Sequence, residues 1–212
     1  VINHTLDMFV QSSLTICGEV ELRVHHHLLA KTEDTAVLTR IYPHQQSLAQ
    51  CREWLDAKLP AVERVAVSSN AEGARRAQEE ESAAAIAGDI AAEIYNLKTV
   101  ASNIEDNPDN TTRFLVIGRK MTAASGNDKT SLLVSTSNKP GSLYELLKPF
   151  ADKGLSLSRI ESRPSRLANW DYVFFIDIAG HVEDATVKEC LQILSKEATL
   201  FKVLGSYPLA VL

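Results

Sequence analysis

Four residues, Asn110-Thr111-Thr112-Arg113, crowd an amide, two hydroxyls and a guanidinium directly ahead of the apolar run Phe114-Leu115-Val116-Ile117. A Thr hydroxyl can assist a departing group by donating a hydrogen bond or a proton, and a guanidinium can hold an anion. Thr112 and Arg113 at a strand mouth therefore compose an anion and leaving-group site. The same residue types also open strands for a plainer reason, because Asn and Thr satisfy local backbone groups in turns. Turn chemistry is the commoner outcome, and on these residues alone both readings stay open.

Other candidates narrow the chemistry. His25-His26-His27 invites a metal, but successive side chains of a strand point to opposite faces, and no Cys or carboxylate cluster lies nearby at ligand spacing, so no metal is expected. No Walker pattern, G-x-G-x-x-G or G-x-S-x-G is present, which disfavours nucleotide cofactors and a serine hydrolase. The segment "NKPGSLYELL", Asn138 to Leu147, turns a strand into a helix at Pro140-Gly141. It reads equally as a plain βα turn or as a helix start whose free amides hold a ligand carboxylate. "IESRPS", Ile160 to Ser165, ends a strand with a charged, turn-forming cluster.

The bulk properties agree with a globular chain. With 212 residues and 45% hydrophobic content it can bury a sizeable core. A net charge of -5 and the lack of Lys/Arg runs argue against nucleic acid, and no apolar stretch is long enough for a bilayer, so neither nucleic acid nor membrane is expected and the location is read as cytoplasmic. Cys17, Cys51 and Cys190 are three and widely spaced, which fits reduced thiols.

Periodicity supplies the elements that must position these groups. Ile2, Leu6, Phe9 and Val10 mark an amphipathic helix already under way at Val1, which suggests a piece of something longer. Leu14 to Val24 alternates as a strand. Gln46 to Lys58 places Leu48, Cys51, Trp54 and Leu55 on one face of a helix ended by Pro60, and Ser69 with Glu72 forms a capping box for another. Ile86, Ile90, Ile94 and Leu97 recur at helical spacing, so a third helix is expected there. Small and polar residues over 121–129 read as a linker, which divides the chain into an α/β part, 1–120, and a βαββαβ part, 130–212. In the second part Leu143, Leu146, Leu147 and Phe150 share one helix face, and Val187, Cys190, Leu191 and Leu194 another.

In order, "NTTRF", "NKPGSLYELL" and "ESRP" resemble the prephenate dehydratase family with a C-terminal ACT regulatory domain, and "HHHLL", "LAQC" and "AAIA" fall where that family has comparable segments. The likeness extends over the whole chain and is greatest to bacterial bifunctional proteins in which a chorismate mutase domain comes first. It implies a fold of α/β class: an incomplete two-lobed dehydratase domain of periplasmic-binding-protein type, then a ferredoxin-like ACT domain. It implies decarboxylative dehydration of prephenate to phenylpyruvate, with no cofactor, on the route to phenylalanine. Thr112 would assist the leaving group, Arg113 would complement the dianion's charge, Gln50 matches an active-site glutamine, and Phe114 and Asn110 would contact substrate. Many members read Ser-His-Pro where this chain has Pro43-His44-Gln45, so no serine role carries over there. L-Phenylalanine would bind as allosteric inhibitor across a dimer of ACT domains, at Asn138, Pro140, Gly141, Ser142 and Leu143 with Glu161, Ser162, Arg163 and Pro164. A homodimer or larger homo-oligomer is implied. The family's Glu-Asn motif is expected upstream of Val1, which makes this piece inactive alone; the alternative is a non-catalytic amino-acid-binding module.

Overall fold

The computed structural model describes residues 8–164 and 172–211. Ile2 and Leu6 of the expected first helix, and Ser165 of "IESRPS", lie outside the described residues. The chain divides into two compact units, one made of Leu22–Thr112 and the other of Val1–Glu21 together with Arg113–Leu212.

The unit Leu22–Thr112 is built on a five-stranded sheet. Its strands are β2 (His27–Ala30), β3 (Arg40–Tyr42), β4 (Glu63–Arg64), β5 (Ala83–Ala87) and β6 (Lys98–Ala101), in the order β4-β3-β5-β2-β6. Strand β3 runs parallel to β4 and β5, whereas β2 is antiparallel to β5 and β6. The central strand is where the sequence expectation fails. Ile86 belongs to β5 and packs with Leu28, Ile41 and Leu55 on one face, while Ala85 and Ala87 pack with Ala74 and Ala77 on the other. A strand buried on both faces is a continuous apolar run without alternation, so Ile86 can be joined by spacing to the helix that follows. That helix, α4 (Asp89–Ile94), leaves Ile90 and Ile94 exposed. The small residues of β5 let the helix α3 (Asn70–Glu79) approach closely, and Gly73 is required because a Cβ there would lie 2.2 Å from the Tyr42 carbonyl oxygen. Ser69 caps this helix as expected, accepting from the Glu72 amide.

The expected helix over Gln46 to Lys58 is two helices, α1 (Gln45–Gln50) and α2 (Arg52–Lys58), parted at Cys51. The Asp106 carboxylate accounts for the break. It accepts from the Glu53 and Trp54 amides at 3.1 Å each and so supplies α2 with a cap of its own.

In the other unit, β8 (Asp128–Thr136), α5 (Ser142–Asp152), β9 (Leu157–Pro164), β10 (Tyr172–Ala179), α6 (Ala185–Glu197) and β11 (Leu200–Pro208) follow the expected βαββαβ order. The sheet is antiparallel with strand order β11-β8-β10-β9, the ferredoxin-like arrangement. One face packs Leu132, Val134, Phe174 and Ile176 against Leu146 and Phe150 of α5 and Cys190 and Leu194 of α6. Leu143, expected on that buried face, is 42% exposed. The opposite face, with Leu133, Phe175, Leu204 and Tyr207, is covered by Phe9 and Ile16. Contact there is close: Lys202 Nζ donates to the Phe9 and Ser12 carbonyls, and a Cβ on Gly205 would lie 2.0 Å from the Ile16 carbonyl oxygen. Two further strands, β1 (Thr15–Arg23) and β7 (Thr111–Gly118), pair only with each other among the described strands. All three cysteines are free thiols, with Cys51 and Cys190 buried.

Candidate functional site

A polar cleft of about 200 Å³ opens in the unit Leu22–Thr112, lined by Val24, His26, His44, Gln46, Ser47, Gln50, Asn70, Asn110 and Thr112. Helix α1 contributes by spacing: His44, Ser47 and Gln50 are three residues apart and share its face. His44 caps the helix, its Nδ1 accepting from the Gln46 amide at 3.3 Å. Ser47 is buried and donates from Oγ to Asn70 Oδ1 at 2.8 Å. Gln50, the last residue before the break at Cys51, donates from Nε2 to Asn110 Oδ1 at 2.9 Å, and its Oε1 meets His26 Nε2 at 2.9 Å. Asn110 is fixed in turn, donating from Nδ2 to the Val24 carbonyl at 3.0 Å while its own carbonyl accepts from the Val24 amide.

The sequence candidates Gln50, Asn110 and Thr112 thus meet at one cleft, with Thr112 exposed in it. Sequence reasoning missed His26, Ser47 and Asn70; the three-residue spacing of His44, Ser47 and Gln50 is the one signal that pointed to Ser47. The three histidines also differ from the expected strand run, because β1 ends at Arg23 and β2 begins at His27. Each has its own polar neighbour, the one beside His27 Nε2 being close in distance but without hydrogen-bond geometry. His25 Nδ1 meets Glu105 Oε1 at 2.7 Å, His26 meets Gln50, and His27 Nε2 lies 2.6 Å from Asp89 Oδ1. Glu105 also accepts from the His26 amide at 2.9 Å, which pins the backbone that presents the His26 ring. Burial alone would raise the Glu105 carboxyl, but hydrogen bonds from His25 and the His26 amide hold it below its ordinary value.

Arg113 and Phe114 do not line the cleft. Adjacent residues of a strand face opposite ways, and the Arg113 guanidinium lies in a buried cluster of the other unit. Its Nε donates to Glu19 Oε2 at 2.5 Å, Nη1 to Asp177 Oδ2 at 2.6 Å and Nη2 to the Tyr207 hydroxyl at 2.6 Å. Lys129 Nζ donates to the same Glu19 at 2.9 Å. The charge expected to face a dianion is therefore matched by two carboxylates of the chain itself.

In the ferredoxin-like unit, strand register relates the two segments assigned to an amino acid. Thr136 of β8 is opposite Tyr172 of β10, and Tyr172 is opposite Pro164 of β9. The loop Asn138–Gly141 and the segment Glu161–Pro164 therefore leave the same end of the sheet, two strand spacings or roughly 10 Å apart. Gly141 takes φ +86 at the head of α5, and nothing lies within 4 Å of a Cβ built there. The left-handed backbone, and not a crowding neighbour, is what calls for glycine. Asn138, Pro140 and Ser162 are exposed, Ser142 half-buried. Glu161 accepts from Arg159 and from Arg163 Nη2, the latter at 2.6 Å. Burial would raise its carboxyl; these arginines hold it below the ordinary value.

Comparison with known proteins decides the family. A family model described as prephenate dehydratase matches residues 1–122, more than half of the chain. The chain belongs to the prephenate dehydratase family. An ACT domain model matches residues 130–195. A bifunctional chorismate mutase/prephenate dehydratase of Pseudomonas aeruginosa is 57% identical over 212 residues, all of this chain and 58% of that protein. The chain thus spans a little over half the length of this curated relative. Among solved structures, a prephenate dehydratase in complex with L-Phe from Arthrobacter aurescens superposes with a TM-score of 0.84 at 35% identity, covering 99% of this chain and 71% of that one. A structure described as a novel type of quorum quenching acylase, GqqA, superposes with a TM-score of 0.78 at 30% identity over 93% of this chain and 73% of its own. Among the described residues no helix is long and apolar enough to cross a membrane.

Proposed function

We propose that the full-length protein is a prephenate dehydratase. The observation that carries this is the convergence of Thr112, Gln50 and Asn110 on one cleft in a chain of that family. In the reaction the bond to the ring carboxylate breaks, its electron pair enters the ring, and the ring hydroxyl leaves on the opposite side of the new aromatic system. With one proton taken up by the departing hydroxide, ultimately from solvent, carbon dioxide, water and phenylpyruvate result, with no redox change and no cofactor. Thr112 donates to the departing hydroxyl, and the Gln50 and Asn110 amides orient the substrate. Arg113 serves by anchoring β7, the strand that carries Thr112. The dehydratase part is residues 1–120, joined through 121–129 to a regulatory part, 130–212. The latter binds L-phenylalanine as inhibitor at the sheet end bearing Asn138–Leu143 and Glu161–Pro164, in a cytoplasmic homodimer or larger homo-oligomer. The Gly141 backbone conformation, the open space beside it and the shared strand register support that placement.

The similarity to GqqA raises an acylase as the rival reading. An acylase of the hydroxyl–imidazole type needs a hydroxyl bonded to a histidine. Ser47 in this cleft is bonded instead to Asn70, and His26 to Gln50. The test is conversion of prephenate to phenylpyruvate, followed by absorbance, by the full-length protein and its Thr112→Ala variant. A loss of about a hundredfold or more in kcat is expected if assistance to the leaving group goes with the hydroxyl. Unchanged turnover in a folded variant overturns the assignment of Thr112, and cleavage of an acyl amide without action on prephenate favours the rival.

A further inference from the structure

The hydrogen-bond chain across the cleft has only one possible direction. The Val24 carbonyl can only accept, so the Asn110 atom 3.0 Å from it is the amide nitrogen Nδ2. Asn110 Oδ1 therefore faces Gln50 and accepts from Gln50 Nε2 at 2.9 Å. Gln50 must then present Oε1, an acceptor, to His26 Nε2 at 2.9 Å. The proton of the ring sits on Nε2. Each assignment forces the next, beginning from a backbone atom whose role is fixed.

That direction matters for what the cleft offers a ligand. None of its lining residues is Lys or Arg. Among the described lining, the groups that can meet an anion are the N–H and O–H donors of amides, hydroxyls and imidazoles. With the chain oriented as above, Gln50 Nε2 and Asn110 Nδ2 each spend one hydrogen within the chain and keep a second. A Gln50 amide turned over would put its oxygen against Asn110 Oδ1, which is repulsive.

We propose that His26 is a positioning residue of this cleft: its Nε2–H, bonded to Gln50 Oε1, fixes the Gln50 amide with its nitrogen toward Asn110 and so keeps the cleft rich in donors for a carboxylate-bearing substrate. The functional half of this statement rests on the dehydratase reading; the wiring does not. Two observations support the role. The ring is 4% exposed and its backbone is held by Glu105, so it is placed with little freedom. Its Nδ1 is buried and has no hydrogen-bond partner among the described residues. Gln50 is thus the hydrogen-bond partner of the ring among the described residues, and the ring's one proton is directed to it.

The test uses the full-length protein with His26→Leu and His26→Gln, kcat and KM for prephenate, and thermal melting as a check on folding. Gln can still donate from its side-chain nitrogen to Gln50 Oε1, and Leu cannot. His26→Leu should lower kcat/KM about tenfold, the worth of one hydrogen bond, and His26→Gln should recover it to within about threefold of the unsubstituted protein. Equal impairment of both variants, or none in His26→Leu, overturns the proposal. The wiring is read separately from 15N-labelled histidine in the unsubstituted protein without substrate. The His26 ring should show a protonated Nε2 and a bare Nδ1, and a proton on Nδ1 in place of Nε2 overturns the proposal whatever the kinetics. Failure of the dehydratase reading itself would appear as no turnover by the unsubstituted protein while this tautomer is observed.

Discussion

Glu19 is a buried carboxylate whose pairing bears directly on stability. Its side chain is fully buried and bonded to both Arg113 and Lys129. Burial favours the neutral acid, yet the hydrogen bond from Lys129, that from the Ala210 amide and the Arg113 charge prevail and hold the carboxyl below its ordinary 4.5. A folded value below the unfolded one gives stability that is fully present above about pH 4.5 and lost as pH falls through the folded value. Glu19→Gln should cost about 3–5 kcal/mol at pH 7, because two cations lose their buried counter-charge. Urea denaturation from pH 7 down to pH 3 should show the gap between the two proteins narrowing only in the acid range; a constant gap would show that Glu19 acts by shape alone. None of this was legible from sequence. Glu19 and Asp177 lie 94 and 64 residues from Arg113, and nothing local to "NTTRF" separates a guanidinium that meets a ligand from one that meets its own chain. Thr112 was legible as a candidate from its hydroxyl beside a strand, with turn chemistry still the commoner reading, and Gln50 was reached only through the family resemblance, since nothing in its helix spacing marks it.

Among the elements, the break between α1 and α2 has the clearest bearing on the cleft, because it makes Gln50 a helix end and not a mid-helix residue. Asp106 does this from outside by capping α2 while its own amide donates to the Gln50 carbonyl at 2.7 Å. Asp106→Ala removes both bonds to the α2 amides and should cost about 1–2 kcal/mol in urea denaturation, with a raised KM for prephenate as the Gln50 end loosens. A variant as stable as the parent would mean that Cys51 parts the helices unaided. Periodicity could not find this break, since Leu48, Cys51, Trp54 and Leu55 keep one face across it. Strand β5 escaped for the converse reason: five buried apolar residues carry no period at all. The strands β8 to β11 were placed from their apolar runs between turn residues, and the helix faces of α5, Leu143 apart, and α6 were read correctly because each of those helices has one wet side.

For the whole molecule, composition located the small polar stretch 121–129, but the compact units divide elsewhere, because residues 8–21 complete the sheet face formed by Leu133, Phe175, Leu204 and Tyr207. The hydrogen bond from Lys202 to the Phe9 carbonyl spans 193 residues. Closing so long a loop is slow compared with the local pairings of β2 to β6. Pulse-labelled hydrogen exchange during refolding should therefore protect amides of residues 28–30 and 84–86 before those of residues 16–19 and 203–207; simultaneous protection would indicate a single cooperative step. The same contact bears on how the chain leaves the ribosome. The inserted unit has all its strands once residue 112 has emerged, whereas Phe9 and Ile16, made before that unit, must wait for β11, made after it. From their own emergence until that of β11 these two apolar side chains lack the surface that finally covers them, and they are where a chaperone waiting at the exit tunnel would find its hold.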